Sequence, residues 1–254
     1  MAIDRGFEQV LITGASAGIG AAFARALAPA ARRTLLVARR AERLQALAEE
    51  LRGPGEVLVL PADLGATEGQ TRVVEAIRQG PALDLLINNA GFSTWGPFAA
   101  SDLDTELAML RLHQDAALAL TRAALPAMRA ARRGALINVA SIGGFACMPS
   151  VASYAASKAF LISFSRSLHA ELADTGVRVQ CLCPGYTRTE IHSRDTFARF
   201  DVERVPAHLW MPAETVVAES LAALARDVPP WMLVPGESNR QFVSGALRDL
   251  AAAL

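Results

Sequence analysis

Tyr154 and Lys158 stand four residues apart in the stretch SIGGFACMPSVASYAASK, which runs from Ser141 to Lys158. If the chain is helical from about Ala152, both side chains leave the same face about one turn apart. An ammonium beside a phenol favours phenolate, so the pair predicts a tyrosine pKa drawn down from roughly 10 towards working pH, as a general acid/base requires. Ser141 precedes Tyr154 by thirteen residues and follows the apolar run 135–140, so a strand delivers its hydroxyl into a Gly-Gly loop. Tyr-x-x-x-Lys alone is a frequent coincidence, and Ser141 alone is an ordinary turn residue. Their meaning depends on what the rest of the chain assembles around them.

Residues 9–13 form a short apolar run that ends in TGASAGIG, and residues 21–28 have helix-forming composition. Strand, glycine turn and helix form the context in which backbone N–H groups and the positive end of a helix converge on a phosphate. Gly14, Gly18 and Gly20 make a G-x-x-x-G-x-G pattern, with Ser16 and Ile19 inside the same loop. A second apolar run, 34–38, leads to Arg39-Arg40 and a helical pattern over 41–51. At the end of the second strand of a βαβ unit, an acidic residue would grip the free ribose 2′-hydroxyl of NAD. Here Ala38 stands at that point and Arg39 follows, so a 2′-phosphate is the better match and NADP(H) is favoured over NAD(H).

The alternation continues with a third strand over 57–60. Asp63 follows it, and either accepts from an adenine amino group or caps a helix starting near Thr67. A fourth strand over 83–87 runs into Asn88, Asn89, Ala90 and Gly91, small hydrogen-bonding residues where backbone passes close to a ligand. Residues 103–132 read as a long amphipathic helical stretch containing His113 and Pro126. A helix over 152–173 carries the tyrosine and lysine, and a strand over 177–183 ends at Pro184-Gly185. A last strand is expected over 231–235 and a closing helix over 239–250. This order predicts an α/β fold, a doubly wound parallel sheet with helices on both faces, its ligands gathering at the carboxyl ends of the strands.

At 254 residues and 52% apolar composition the chain can bury a large core as one domain. Its 25 basic and 25 acidic residues cancel, and it has no basic tail, so nucleic acid is not an expected partner. Cys147, Cys181 and Cys183 are few, odd in number and without His or Cys partners at ligand spacing, which points to free thiols in a reducing compartment and to no metal site. The opening residues lack the pattern of a signal peptide, so a cytoplasmic location is expected. The uncharged window 134–157 contains Asn138, two adjacent glycines and Pro149, and reads as a catalytic loop rather than a membrane span.

TGASAGIG, Asn-Asn-Ala-Gly, Ser141, Tyr154-x-x-x-Lys158 and Pro184-Gly185, in this order, resemble the classical short-chain dehydrogenases/reductases over roughly residues 9–189. The resemblance implies a Rossmann-type domain of about seven strands that binds a nicotinamide dinucleotide and acts on a small-molecule carbonyl or alcohol. It also implies a homodimer or homotetramer joined through the helix faces in 103–132 and 152–173. Tyr154 would be the acid/base, Lys158 would hold the nicotinamide ribose and lower the tyrosine pKa, and Ser141 would hydrogen-bond the substrate oxygen. Gly14, Ser16, Gly18, Ile19, Gly20, Asn89, Ala90, Gly91, Pro184, Gly185 and Thr187 fall where the family contacts its cofactor, and Thr189 looks like the residue that meets the carboxamide. One position departs. The family's helix asparagine is replaced by His113, which either takes over a proton relay or simply packs. A nucleotide-binding protein with lapsed turnover is the alternative reading. The lid, 187–210, would decide the substrate, and Phe92, Trp95, Phe145, Met148, Phe197, Phe200 and Trp210 either line an apolar pocket for a hydrophobic ketone, aldehyde or acyl chain or belong to the core.

Overall fold

The fold follows from strands that are apolar on both faces. In β1 (Phe7–Thr13), Val10, Leu11 and Ile12 are all fully buried, yet Val10 and Ile12 feed one core and Leu11 the other. Side chains that alternate between two hydrophobic layers require helices above and below the sheet. β2 (Ala31–Ala38), β4 (Leu85–Asn88) and β5 (Gly134–Val139) repeat the pattern. The computed structural model describes residues 6–193, 195–197 and 200–253.

With β3 (Glu56–Pro61), β6 (Val177–Leu182) and β9 (Met232–Leu233), these strands form a seven-stranded, all-parallel sheet in the order β3-β2-β1-β4-β5-β6-β9. Helices α1 (Gly18–Leu27), α2 (Ala41–Glu50) and α7 (Ala213–Leu224) cover one face. Helices α3 (Thr67–Gln79), α5 (Ala116–Ala130) and α6 (Ala152–Glu171) cover the other. The order reverses between β1 and β4, which opens a crevice at the carboxyl ends there. This is the expected doubly wound fold.

The helical stretch expected over 103–132 is present, with an irregularity inside it: α4 (Leu103–Leu110) passes into a π turn, Arg111–Asp115, before α5 begins. Such a turn has no signature in the hydrophobic period, because it adds one residue to a continuous helical path. Asp63 does not cap α3, whose N-cap position is Ala66; its carboxylate instead accepts from Gly65 N–H at 2.9 Å. The lid begins as β7 (Thr187–Arg188), paired with β8 (Met211–Pro212), and continues in short 3-10 turns. Residues 194, 198 and 199 of the expected lid lie outside the described residues. The closing helix α8 (Glu237–Ala252) starts two residues earlier than expected. No described helix is long and apolar enough to cross a membrane.

Candidate active site

Gly14 lets the β1 loop pass against the β4 loop. Its φ is +65°, and a Cβ there would sit 2.7 Å from Asn89 Nδ2 and 2.8 Å from Ala90 Cα. Thr13 fastens the two loops together. Its hydroxyl accepts from Asn89 N–H at 2.9 Å and Ala90 N–H at 3.0 Å, while Asn89 Nδ2 donates to the Thr13 carbonyl at 2.8 Å. Gly18, at φ +56°, faces the Thr189 methyl, so the root of the lid lies against the glycine loop. Helix α1 begins there with no side-chain cap, which leaves its first N–H groups available at the crevice. Gly20 does not line the cleft; it packs behind the loop against the Gly14 carbonyl. The remaining predicted cofactor residues, Ser16, Ile19, Arg39, Asp63, Asn89, Ala90, Gly91, Pro184, Gly185, Thr187 and Thr189, do line one continuous cleft of about 480 Å³ with Ser141, Tyr154 and Lys158.

At its floor, Ser141 leaves β5 in extended geometry, accepts from Gly143 N–H at 3.1 Å and donates to the Pro184 carbonyl at 3.5 Å, in the same cleft as Tyr154. Lys158 is buried, donates to the Val139 carbonyl at 2.9 Å and holds Nζ 5.6 Å from the Tyr154 ring centroid. Burial pushes its ammonium down to about 8, opposed by the neighbouring Cys181 and Cys183. The sequence predicts a lowered tyrosine pKa. Burial works the other way: it raises the phenol, and the neighbouring Ser141 hydroxyl only partly offsets it. The ammonium lies over the ring and bonds a carbonyl, so desolvation of the phenolate outweighs its field.

His113 sits in the π turn, buried, with both ring nitrogens engaged. Phe92 N–H can only donate, so Nε2 accepts it at 3.3 Å and Nδ1 carries the proton. Nδ1 meets Ser157 Oγ at 2.8 Å, and that hydroxyl donates to the Tyr154 carbonyl at 2.7 Å. Burial and the Lys158 charge push the His113 pKa well below its ordinary value.

The order of loops, the crevice and the Ser-Tyr-Lys floor coincide with a family match, to the short chain dehydrogenases, over residues 8–198. The chain belongs to the short-chain dehydrogenases/reductases. It is 36% identical to an uncharacterized oxidoreductase of Myxococcus xanthus, the alignment covering 98% of each chain. It is 34% identical to a putative ketoacyl reductase of granaticin polyketide synthase from Streptomyces violaceoruber, covering 96% of this chain and 88% of that one. A short-chain dehydrogenase from Sphingobium yanoikuyae in complex with NADPH superposes with a TM-score of 0.85 at 32% identity, covering 97% of this chain and 96% of the other.

In this dehydrogenase the far end of the cleft is aromatic. Trp95 packs edge-on against Phe197 and Phe200, with centroids 5.5 and 4.8 Å apart, and Tyr186 stacks on Phe200 at 6.0 Å. Phe92 and Met148 also line the cleft. Phe145 and Trp210 do not. Phe145 packs into the core cluster around Leu161, and Trp210 lies between Tyr186 and Arg188 behind the wall. Cys181 and Cys183 are free, buried thiols 3.6 Å apart, and Cys147 is free and exposed. Sequence reasoning passed over Arg40, Glu190 and Asn239, all cleft residues. Arg40 was visible only as the neighbour of Arg39, and neither Glu190 nor Asn239 carries a local signal.

Proposed function

We propose that this dehydrogenase is an NADP(H)-dependent reductase of neutral, apolar carbonyl compounds: ketones, aldehydes or 3-oxoacyl groups. The observation that carries the reading is one cleft with Arg39 and Arg40, beside Asp63 and Glu190, at one end, an uncharged aromatic wall at the other, and Ser141, Tyr154 and Lys158 between them. The residues fit a nicotinamide dinucleotide, since the cradle at Gly14 and Gly18 is one that side chains would fill. Gly14, Ser16 and Ile19 would hold its pyrophosphate, Arg39 and Arg40 a 2′-phosphate, and Asp63 the adenine. Asn89 to Gly91 and Pro184 to Thr189 would border the nicotinamide half. The NADPH of the Sphingobium neighbour and the ketoacyl reductase of Streptomyces support this choice.

When bound, the nicotinamide supplies or accepts the hydride. Tyr154 gives the proton to the carbonyl oxygen as negative charge develops there, and Ser141 donates a hydrogen bond to the same oxygen. The phenol's raised pKa keeps it protonated and ready to act as the acid in reduction. Lys158, still largely cationic at neutral pH, stabilises the phenolate left behind. His113 positions rather than relays: it ties the Gly91-Phe92 backbone to the first turn of α6. The intact Ser-Tyr-Lys arrangement supports turnover over a lapsed, cofactor-binding role.

Exposed Leu103, Leu107 and Leu118 on α4 and α5 support a homodimer or homotetramer through these helices. The three free thiols suit a cytoplasmic location. The test is NADPH consumption against a panel of apolar ketones, aldehydes and 3-oxoacyl thioesters, by wild type and Tyr154→Phe. Wild type turns over at least one of them, and the variant loses turnover while holding NADPH within a few-fold. Near-native rates in the variant would end the proposed chemistry.

A further inference from the structure

Glu190 follows Thr189 at the root of the lid, yet its carboxylate reaches the start of α2. Its Oε2 accepts from Arg40 Nη1 at 2.8 Å, and its Oε1 pairs with Arg43. Arg40 in turn donates to Ser16 Oγ in the glycine loop, from Nε at 3.3 Å and from Nη2 at 3.1 Å. One carboxylate and one guanidinium thus tie together the phosphate loop, the adenosine end of the cleft and the segment that leads into the substrate wall. Ser16, Arg40 and Glu190 all line the cleft, beside Arg39, whose Nη1 lies 4.0 Å from Asp63. The two arginines hold the Glu190 carboxyl below the usual carboxylate range, so it is anionic at neutral pH.

A phosphate placed among these cations meets an anion already there. It must either take Arg40 from Glu190 or sit beside a like charge. We infer that Glu190 is an internal competitor for the cofactor's 2′-phosphate, and that its displacement by that phosphate loosens the root of the lid. The inference rests on the proposed NADP(H) reading. It makes Glu190 a determinant of cofactor preference that acts against the arginines, and it couples the identity of the dinucleotide to the substrate lid. NAD(H), without a 2′-phosphate, leaves the tie between Glu190 and Arg40 in place.

Two measurements test this. Calorimetric titration of wild type and Glu190→Gln with NADPH and NADH should show NADPH tightened about fivefold in the variant, the scale of two partly exposed ion pairs, and NADH changed less than twofold. Weaker NADPH binding in the variant, or equal changes for both cofactors, overturns the inference. Amide exchange over 187–191 gives a readout without nicotinamide. In wild type, 2′,5′-ADP should speed exchange and 5′-AMP should not, whereas Glu190→Gln should exchange fast with neither added. Unchanged exchange in the variant overturns the coupling. If wild type binds neither NADPH nor 2′,5′-ADP, the NADP(H) reading itself falls and takes the inference with it. If wild type binds and uses NADPH but Glu190→Gln treats both cofactors alike, the inference alone falls.

Discussion

Lys158 is the sole lysine among the 25 basic residues, every other being arginine, so no second lysine titrates alongside it. Burial lowers its pKa from 10.5 to about 8 in the folded protein. At 1.36 kcal/mol per pKa unit the gap is worth on the order of 3 kcal/mol. The sign follows from proton counting. Below pH 8 both states hold the proton and the penalty for a buried ammonium is fully present. Between about 8 and 10.5 the unfolded chain binds more protons than the folded one, so stability rises with pH through that window. Lys158→Met removes the titration. It also leaves the Val139 carbonyl without its 2.9 Å partner, an offset of about 1–3 kcal/mol that does not depend on pH. The readout is therefore the slope. Urea unfolding, followed by the fluorescence of the three tryptophans, should show wild type gaining about 2 kcal/mol on Lys158→Met between pH 7.5 and 9.5. That is a relative midpoint shift of about 0.7 M urea at a slope near 3 kcal/mol/M. Cys181 and Cys183 interact with the ammonium and would titrate differently without it, so both proteins are compared in a Cys181→Ala, Cys183→Ala background. Midpoints that stay parallel with pH would show that the ammonium carries no desolvation cost, and would undo the account of how it meets Tyr154.

Gly14→Ala places a methyl 2.7 Å from Asn89 Nδ2 at φ +65°, so it should cost about 1–3 kcal/mol in denaturant stability and weaken NADPH binding at least tenfold; native-like values for both would refute the close-approach argument. Trp95→Ala opens the aromatic wall, and KM should rise about tenfold for an aryl ketone but little for a short aliphatic one; equal effects would place Trp95 outside the substrate site. His113→Ala removes the Phe92 and Ser157 partners, so kcat should fall about tenfold with the limbs of the pH–rate profile unmoved. A displaced limb would show that the imidazole exchanges protons during turnover.

What the sequence revealed and what it concealed divide along a physical line. Strands buried on both faces announce themselves as apolar runs, so β1, β2, β3, β5 and β6 were legible to within a few residues, and with them the loops that carry Gly14, Asn89, Ser141 and Pro184. The i, i+4 spacing placed Lys158 near Tyr154, but spacing holds no information about desolvation, which is why the direction of the tyrosine shift came out reversed. The role of His113 depends on a backbone N–H twenty-one residues away, and the Arg40–Glu190 pair spans 150. Contacts of that kind exist only after the sheet has set its strand order. Composition allows Trp210 either the pocket or the core; which way it faces is decided by Tyr186 and Arg188.

The π turn at Arg111–Asp115 works as an offset in an otherwise continuous rod. One additional residue rotates everything upstream by about 100° relative to an uninterrupted α-helix, at a rise of only about 1.5 Å. The apolar stripe of α5 can thus stay seated on the sheet while the segment before it turns the imidazole toward Phe92. Deleting a single residue there would leave both ends of the rod helical and its length nearly unchanged, yet point that ring elsewhere, a fault invisible to circular dichroism and plain in the kinetics.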